Sequence, residues 1–177
     1  MLILRPTATL SRRLRRQPIA SGLKSDTVLG DWYAKDLVLG RTPYILAACE
    51  HARLPILLRA APFESFPERL PAALAQVLAR IGARPAAIEE EIRRMSVIAL
   101  ARTDNRSLVG TLIDLQKDLQ YLHGAGRLDL SDLIQLSVAF SDTVVLPLKD
   151  SFPRQAALRL LGSPEESEEM LRPLRLL

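Results

Sequence analysis

Apolar positions recur with different periods in different parts of the chain. Leu108, Leu112, Leu115, Leu119 and Leu122 are spaced four, three, four and three apart, the one-sided stripe of a long helix over 105–122. Leu70, Leu74, Val77, Leu78 and Ile81 form a second stripe and predict a helix over 68–81, with Gly82 suited to the turn beyond it. Pro85 opens a third helix, over 86–95. Residues 1–4 are all apolar and read as a buried strand ended by Arg5 and Pro6. Four short apolar runs follow at 28–29, 37–39, 44–49 and 55–58. The breaks between them are too short for a parallel return, so they predict an antiparallel meander, the last two runs forming a hairpin. Trp32 and Tyr33 fall at its first turn and read as an aromatic plug over a sheet edge. A further strand is expected over 97–101. Ile134, Leu136, Val138 and Phe140 alternate with Gln135, Ser137, Ala139 and Ser141, a period of two that predicts another strand. A final helix is expected from Pro153 to Leu161.

The pattern therefore predicts a single α+β domain over 1–162: a mainly antiparallel sheet with helices packed on one face. Residues 163–177 read as a mobile tail, first acidic and then basic.

Charge alters this picture at the N-terminus. Residues 1–59 hold ten Lys/Arg against four acids, whereas the remainder holds fourteen against sixteen. Four of the ten, Arg12, Arg13, Arg15 and Arg16, surround Leu10 and Leu14 on a short predicted helix capped by Thr7 or Thr9. The helix reads either as a solvated element pinned by its two leucines or as a contact for nucleic acid or an acidic partner. A transit-peptide reading is disfavoured, because residues 1–4 look like strand. The preference for arginine over lysine accompanies abundant Ala and Pro and reads as a GC-rich coding bias. No apolar run approaches the roughly 18 residues of a spanning helix. The lone Cys49 excludes a disulfide within the chain and points to a reducing compartment, the cytoplasm.

Catalytic signatures are sparse. Gly-rich phosphate loops, HExxH and GxSxG are absent from the sequence. His51 and His123 are isolated from each other, and Cys49 sits in an apolar run as an inert buried thiol would. Glu89, Glu90 and Glu91 precede Arg93 and Arg94 along one helix, a polarity that the helix dipole explains. No catalytic residue, metal site or cofactor is expected. The densest polar cluster is Arg102, Thr103, Asp104, Asn105, Arg106 and Ser107, where a strand should hand over to the longest helix. Asp104 or Asn105 can cap that helix. Arg102, Thr103, Asn105, Arg106 and Ser107 could bind an anion or a partner at the helix start. The plainer alternative is a capping box with surface ion pairs, Arg106 to Asp104 for example. Gly110 lies inside the helix at a cost of about 1 kcal/mol relative to alanine, which suggests a close neighbour.

The stretch ARTDNRSLVGTLIDLQKDL resembles the RT-x-x-RS-hydrophobic-G-x-hydrophobic-x-D/N pattern of an uncharacterised bacterial family, the domain-of-unknown-function family numbered six-nine-three-three. MLILRPTATLSRRL, DWYAKDLVLGRTPYILAACE and LSVAFSDTVVLPLKDSFPRQAALRLL fit the same family, in order over most of 1–162. The resemblance implies a shared fold and brings no activity, cofactor or ligand with it. The chain departs from the family's pattern at Ile113-Asp114, where Met-Asn is usual, and at Ser141-Asp142-Thr143, where Glu-Thr-Pro is usual.

The functional expectation is a cytoplasmic, non-enzymatic interaction or regulatory protein with a protein partner and no membrane association. The alternatives are RNA-directed binding or cleavage, through the basic helix and the 102–107 turn, and a small-anion-binding module.

Overall fold

The computed structural model describes residues 1–18, 22–145, 148 and 152–162; the tail expected at 163–177 lies outside the described residues. Strands β1 (Leu2–Pro6), β2 (Trp32–Leu39), β3 (Thr42–Cys49), β4 (Pro55–Arg59) and β5 (Ile98–Leu100) form one sheet in the order β4-β3-β2-β1-β5. The β2-β3-β4 block is the expected meander, with β2–β3 and β3–β4 antiparallel. The sheet as a whole is mixed, because β1 runs parallel to both β2 and β5. Pattern alone could not foresee this. Both parallel pairings join strands separated by long connections, and nothing in either strand's own residues records its neighbour. Residues 28–29 form no strand. They lie in the turn that leads into β2.

The helices are α1 (Ala8–Leu14), α2 (Phe66–Arg80), α3 (Pro85–Arg94), α4 (Arg106–Gly124), α5 (Leu133–Ser141) and α6 (Pro153–Leu160). They cover both faces of the sheet, not one. Alternation along β2 and β3 explains why. Trp32, Ala34, Ile45, Ala47 and Cys49 point into a core shared with Leu10, Leu14, Phe66, Leu70, Leu74 and Val77 of α1 and α2. Tyr33, Leu37, Tyr44, Leu46 and Ala48 point the other way, onto the α4 stripe Leu108, Leu112, Leu115 and Leu119. Trp32 and Tyr33 are thus fully buried on opposite faces of an interior strand, and they plug no edge.

The expected strand at 134–140 is helix α5, capped by Asp132, whose side chain accepts from the Gln135 N–H. Alternation misleads here because α5 has two apolar faces. Leu133, Leu136 and Phe140 pack on the α4-side core, whereas Ile134 and Val138 pack on the α2-side core. Residues at i, i+3, i+7 and at i, i+4 interleave into an apparent period of two. The helix lies along the β4 edge, where the Ser137 hydroxyl accepts from the Leu57 N–H at 2.9 Å and occupies one donor of that edge.

Candidate functional site

The 102–107 turn is fastened from below by a residue that sequence reasoning passed over. Arg5, on β1, is 1% exposed. Its Nε donates to Asp31 Oδ2 at 2.7 Å, Nη1 to the Arg102 carbonyl at 2.5 Å, and Nη2 to the Leu23 carbonyl at 3.1 Å. Nη1 also lies 3.1 Å from Asp104 Oδ2, and the guanidinium sits 5.9 Å from the Tyr33 ring centre. The Tyr33 hydroxyl donates to Asp104 Oδ1. One cation thus ties β1, the 23–31 loop and the β5–α4 turn together.

Asp31 is fully buried. Its Oδ1 accepts from the Ser25 N–H at 2.8 Å, and Lys24 Nζ lies 3.4 Å from Oδ2 and 3.1 Å from Glu50 Oε1. Burial pushes the Asp31 carboxyl up, but the Ser25 N–H and the Arg5 guanidinium outweigh it, and its pKa falls below the ordinary carboxylate range. Burial, with the Asp104 hydrogen bond, pushes the Tyr33 phenol well above its usual value. Arg53 completes the cluster from the hairpin turn, at φ 56°. Its Nη1 donates to Thr111 Oγ1 at 3.2 Å and its Nη2 to Ser107 Oγ at 3.4 Å. Arg5, Lys24 and Arg53 stand against Asp31, Glu50 and Asp104, so the cluster is neutral as a unit.

The turn residues divide accordingly. Asn105 caps α4, its side chain accepting from the Leu108 N–H at 3.1 Å. Ser107 is held by Arg53, and Asp104 goes to Arg5 and Tyr33. The ion pair anticipated between Arg106 and Asp104 is not formed. The side chains of Arg102, Thr103 and Arg106 are exposed, and neither guanidinium has an ion-pair or hydrogen-bond partner among the described residues.

The four arginines around α1 do not act as one stripe. Arg13 lies 3.3 Å from Asp36 and stacks 5.0 Å from the Phe63 ring. Arg15 lies 3.5 Å from Glu64, and Arg16 lies 2.6 Å from Glu68. Among the described residues, only Arg12 of this set is left without such a partner. It lines an open groove with Pro6, Ala8, Ser11, Pro18, Arg102 and Thr103. A second depression, lined by Thr103, Asp104, Asn105, Arg106, Val109, Gly110 and Ile113, begins on the other side of Thr103. The two predicted basic features, separate in sequence, meet here through Arg12 and Arg102.

The remaining candidates are structural. Glu91 is fully buried and accepts from the Val28 and Leu29 N–H groups at 2.8 and 3.0 Å. Burial raises its pKa. Glu90 chelates Arg93 and Arg94, which pull its carboxyl down to about 2. These acids lie past the first turn of α3, so specific partners explain them better than the helix dipole does. Cys49 is buried and its thiol is pushed up to about 12 by desolvation. His51 Nδ1 lies 3.1 Å from the Val28 carbonyl. Among the described residues no three His, Cys, Asp or Glu side chains are placed to hold a metal ion. No described helix is long and apolar enough to cross a membrane.

Sequence reasoning therefore missed Arg5, Asp31, Tyr33, Arg53 and Glu91. One signal was present: a single arginine within the otherwise apolar strand Leu2–Pro6. A cation in such a run has to find a buried counter-ion.

Fold and site together define a small α+β protein with a mixed five-stranded sheet and a polar cluster beneath the junction of β5 and α4. The chain belongs to the family described as Domain of unknown function (DUF6933), whose model matches residues 3–156. No curated protein and no solved structure matches the chain.

Proposed function

We propose that this protein is a non-enzymatic interaction module, acting in the cytoplasm, that docks an anionic partner along the Arg12–Arg102–Arg106 surface. One observation carries the reading. Arg5, Asp31, Tyr33 and Asp104 are spent on one another and Arg53 on Thr111 and Ser107, while three cations around Thr103 are left facing solvent, without a partner among the described residues. A cluster balanced in charge around the buried Arg5, Asp31 and Tyr33 makes a stiff support. Unpaired guanidiniums above it retain their full capacity for bidentate bonds to carboxylate or phosphate. Two adjoining depressions suit an extended partner with repeated charges better than one small anion.

RNA binding is the second reading, favoured by the adjacency of Arg12 to Arg102. Cleavage lacks support, because the one carboxylate among the residues lining the two depressions, Asp104, is held by Arg5 and Tyr33. The test is a titration with a labelled acidic peptide and a labelled oligonucleotide at low and moderate salt. We expect binding that weakens as salt rises, and that weakens several-fold in Arg102→Gln and Arg106→Gln at unchanged melting temperature. Absence of binding by either probe at low salt removes the proposal.

A further inference from the structure

Gly110 poses a question that the fold does not answer. It lies in the first half of α4, at a cost of about 1 kcal/mol relative to alanine. A helix glycine is usually repaid by a close neighbour, yet a Cβ built there meets nothing within 4 Å. The space over it is the floor of the second depression, between half-buried Val109 and Ile113, which is 39% exposed. Arg106, Val109, Gly110 and Ile113 follow the spacing of one helix face. That face therefore presents a cation at one end and a small apolar seat beside it, with Thr103 leading on to Arg102 and Arg12.

We propose that this surface receives an acidic peptide segment of a partner protein, with one apolar side chain anchored over Gly110 and carboxylates on Arg106, Arg102 and Arg12. The inference rests on the anionic-docking reading above and names its partner class. Spacing supports it. Gly110 lies four residues from Arg106, about 6 Å along the helix axis. An extended peptide covers that distance in about two residues. An acid two positions from an apolar residue therefore places both groups at once. Nucleic acid fits less well, because no aromatic side chain lines either depression and bases would have no platform on which to stack.

The experiment is an anisotropy titration of the full chain with a fluorescein-labelled peptide, Glu-Glu-Ser-Glu-Ser-Leu-Ser. Its comparators are the same peptide with serine in place of leucine, and labelled oligouridylate. Two protein variants accompany it: Gly110→Leu, which fills the seat with a strong helix former, and Arg106→Gln. We expect the serine peptide to bind at least about tenfold more weakly, and Gly110→Leu to lose about as much while melting no lower than the parent chain. Arg106→Gln should weaken both peptides and reduce their salt dependence. If Gly110→Leu holds the leucine peptide as tightly as the parent chain does, the anchor is wrong, although anionic docking stands. Oligouridylate bound in preference to the peptide would replace the peptide with nucleic acid. If no anionic probe binds, this inference and the reading beneath it fall together.

Discussion

Arg5 and Asp31 form an ion pair with side-chain exposures of 2% and 0%. Removing one partner of such a pair strands the other charge, which typically costs about 3–5 kcal/mol. Arg5→Met should therefore lower stability by that amount in urea denaturation; a loss under about 1 kcal/mol would mean that Lys24 has taken over. The pair also sets a pH dependence. The folded Asp31 carboxyl titrates below its unfolded value, so its contribution is complete above about pH 4 and is lost as pH falls through the depressed value. Asp31→Asn, itself less stable, should show a flatter acid limb than the parent chain. Glu91 has the opposite sign. Its raised pKa makes its contribution greatest below the ordinary glutamate range, and that contribution declines as pH rises through the folded value.

The helix caps and glycines of α4 and α5 allow sharper tests of single elements. Gly110→Ala should stabilise the protein by up to about 1 kcal/mol, measured by chemical denaturation, because the new methyl meets open space. Asp132→Ala should cost about 1 kcal/mol, since the carboxylate both caps α5 and lies 2.8 Å from Arg80. These two helices also mark the limits of what the sequence carried. The α4 stripe was plain because one face is buried and the other is wet, so its leucines keep a single period. The α5 run could not be read, because two cores claim two faces of the same nine residues. The Asp132 cap was the cue that should have outweighed the alternation. Asn105 was legible as a cap because capping is local chemistry. The Arg5 clamp was not, since its partners lie 26 and 97 residues away.

Across the whole molecule, the basic cluster around α1 is mostly paired with acids from other elements. Asp36, Glu64 and Glu68 pair with Arg13, Arg15 and Arg16, so the apparent basic helix contributes Arg12 alone of the four to the proposed docking surface. Replacing Arg15 and Arg16 with glutamine should change affinity for an anionic probe less than about twofold, whereas Arg12→Gln should weaken it clearly. Equal effects from all three would restore the uniform basic stripe that the sequence suggested. The α+β class was readable from the short apolar runs of the first 60 residues and the helical stripes that follow them. The mixed order β4-β3-β2-β1-β5 was not, because strand neighbours depend on closure over long intervals.

That order bears on how the chain assembles in time. β1 emerges first during synthesis, yet one of its flanking partners, β5, lies nearly a hundred residues later. Until β5 arrives, one side of β1 stays unpaired, and Arg5 lacks the Arg102 carbonyl to which it donates. Parallel pairing over such a separation is slow to nucleate. The proposed docking surface should therefore be among the last parts of the molecule to form, and a chain stalled before residue 100 would lack the 102–107 turn on which it is built.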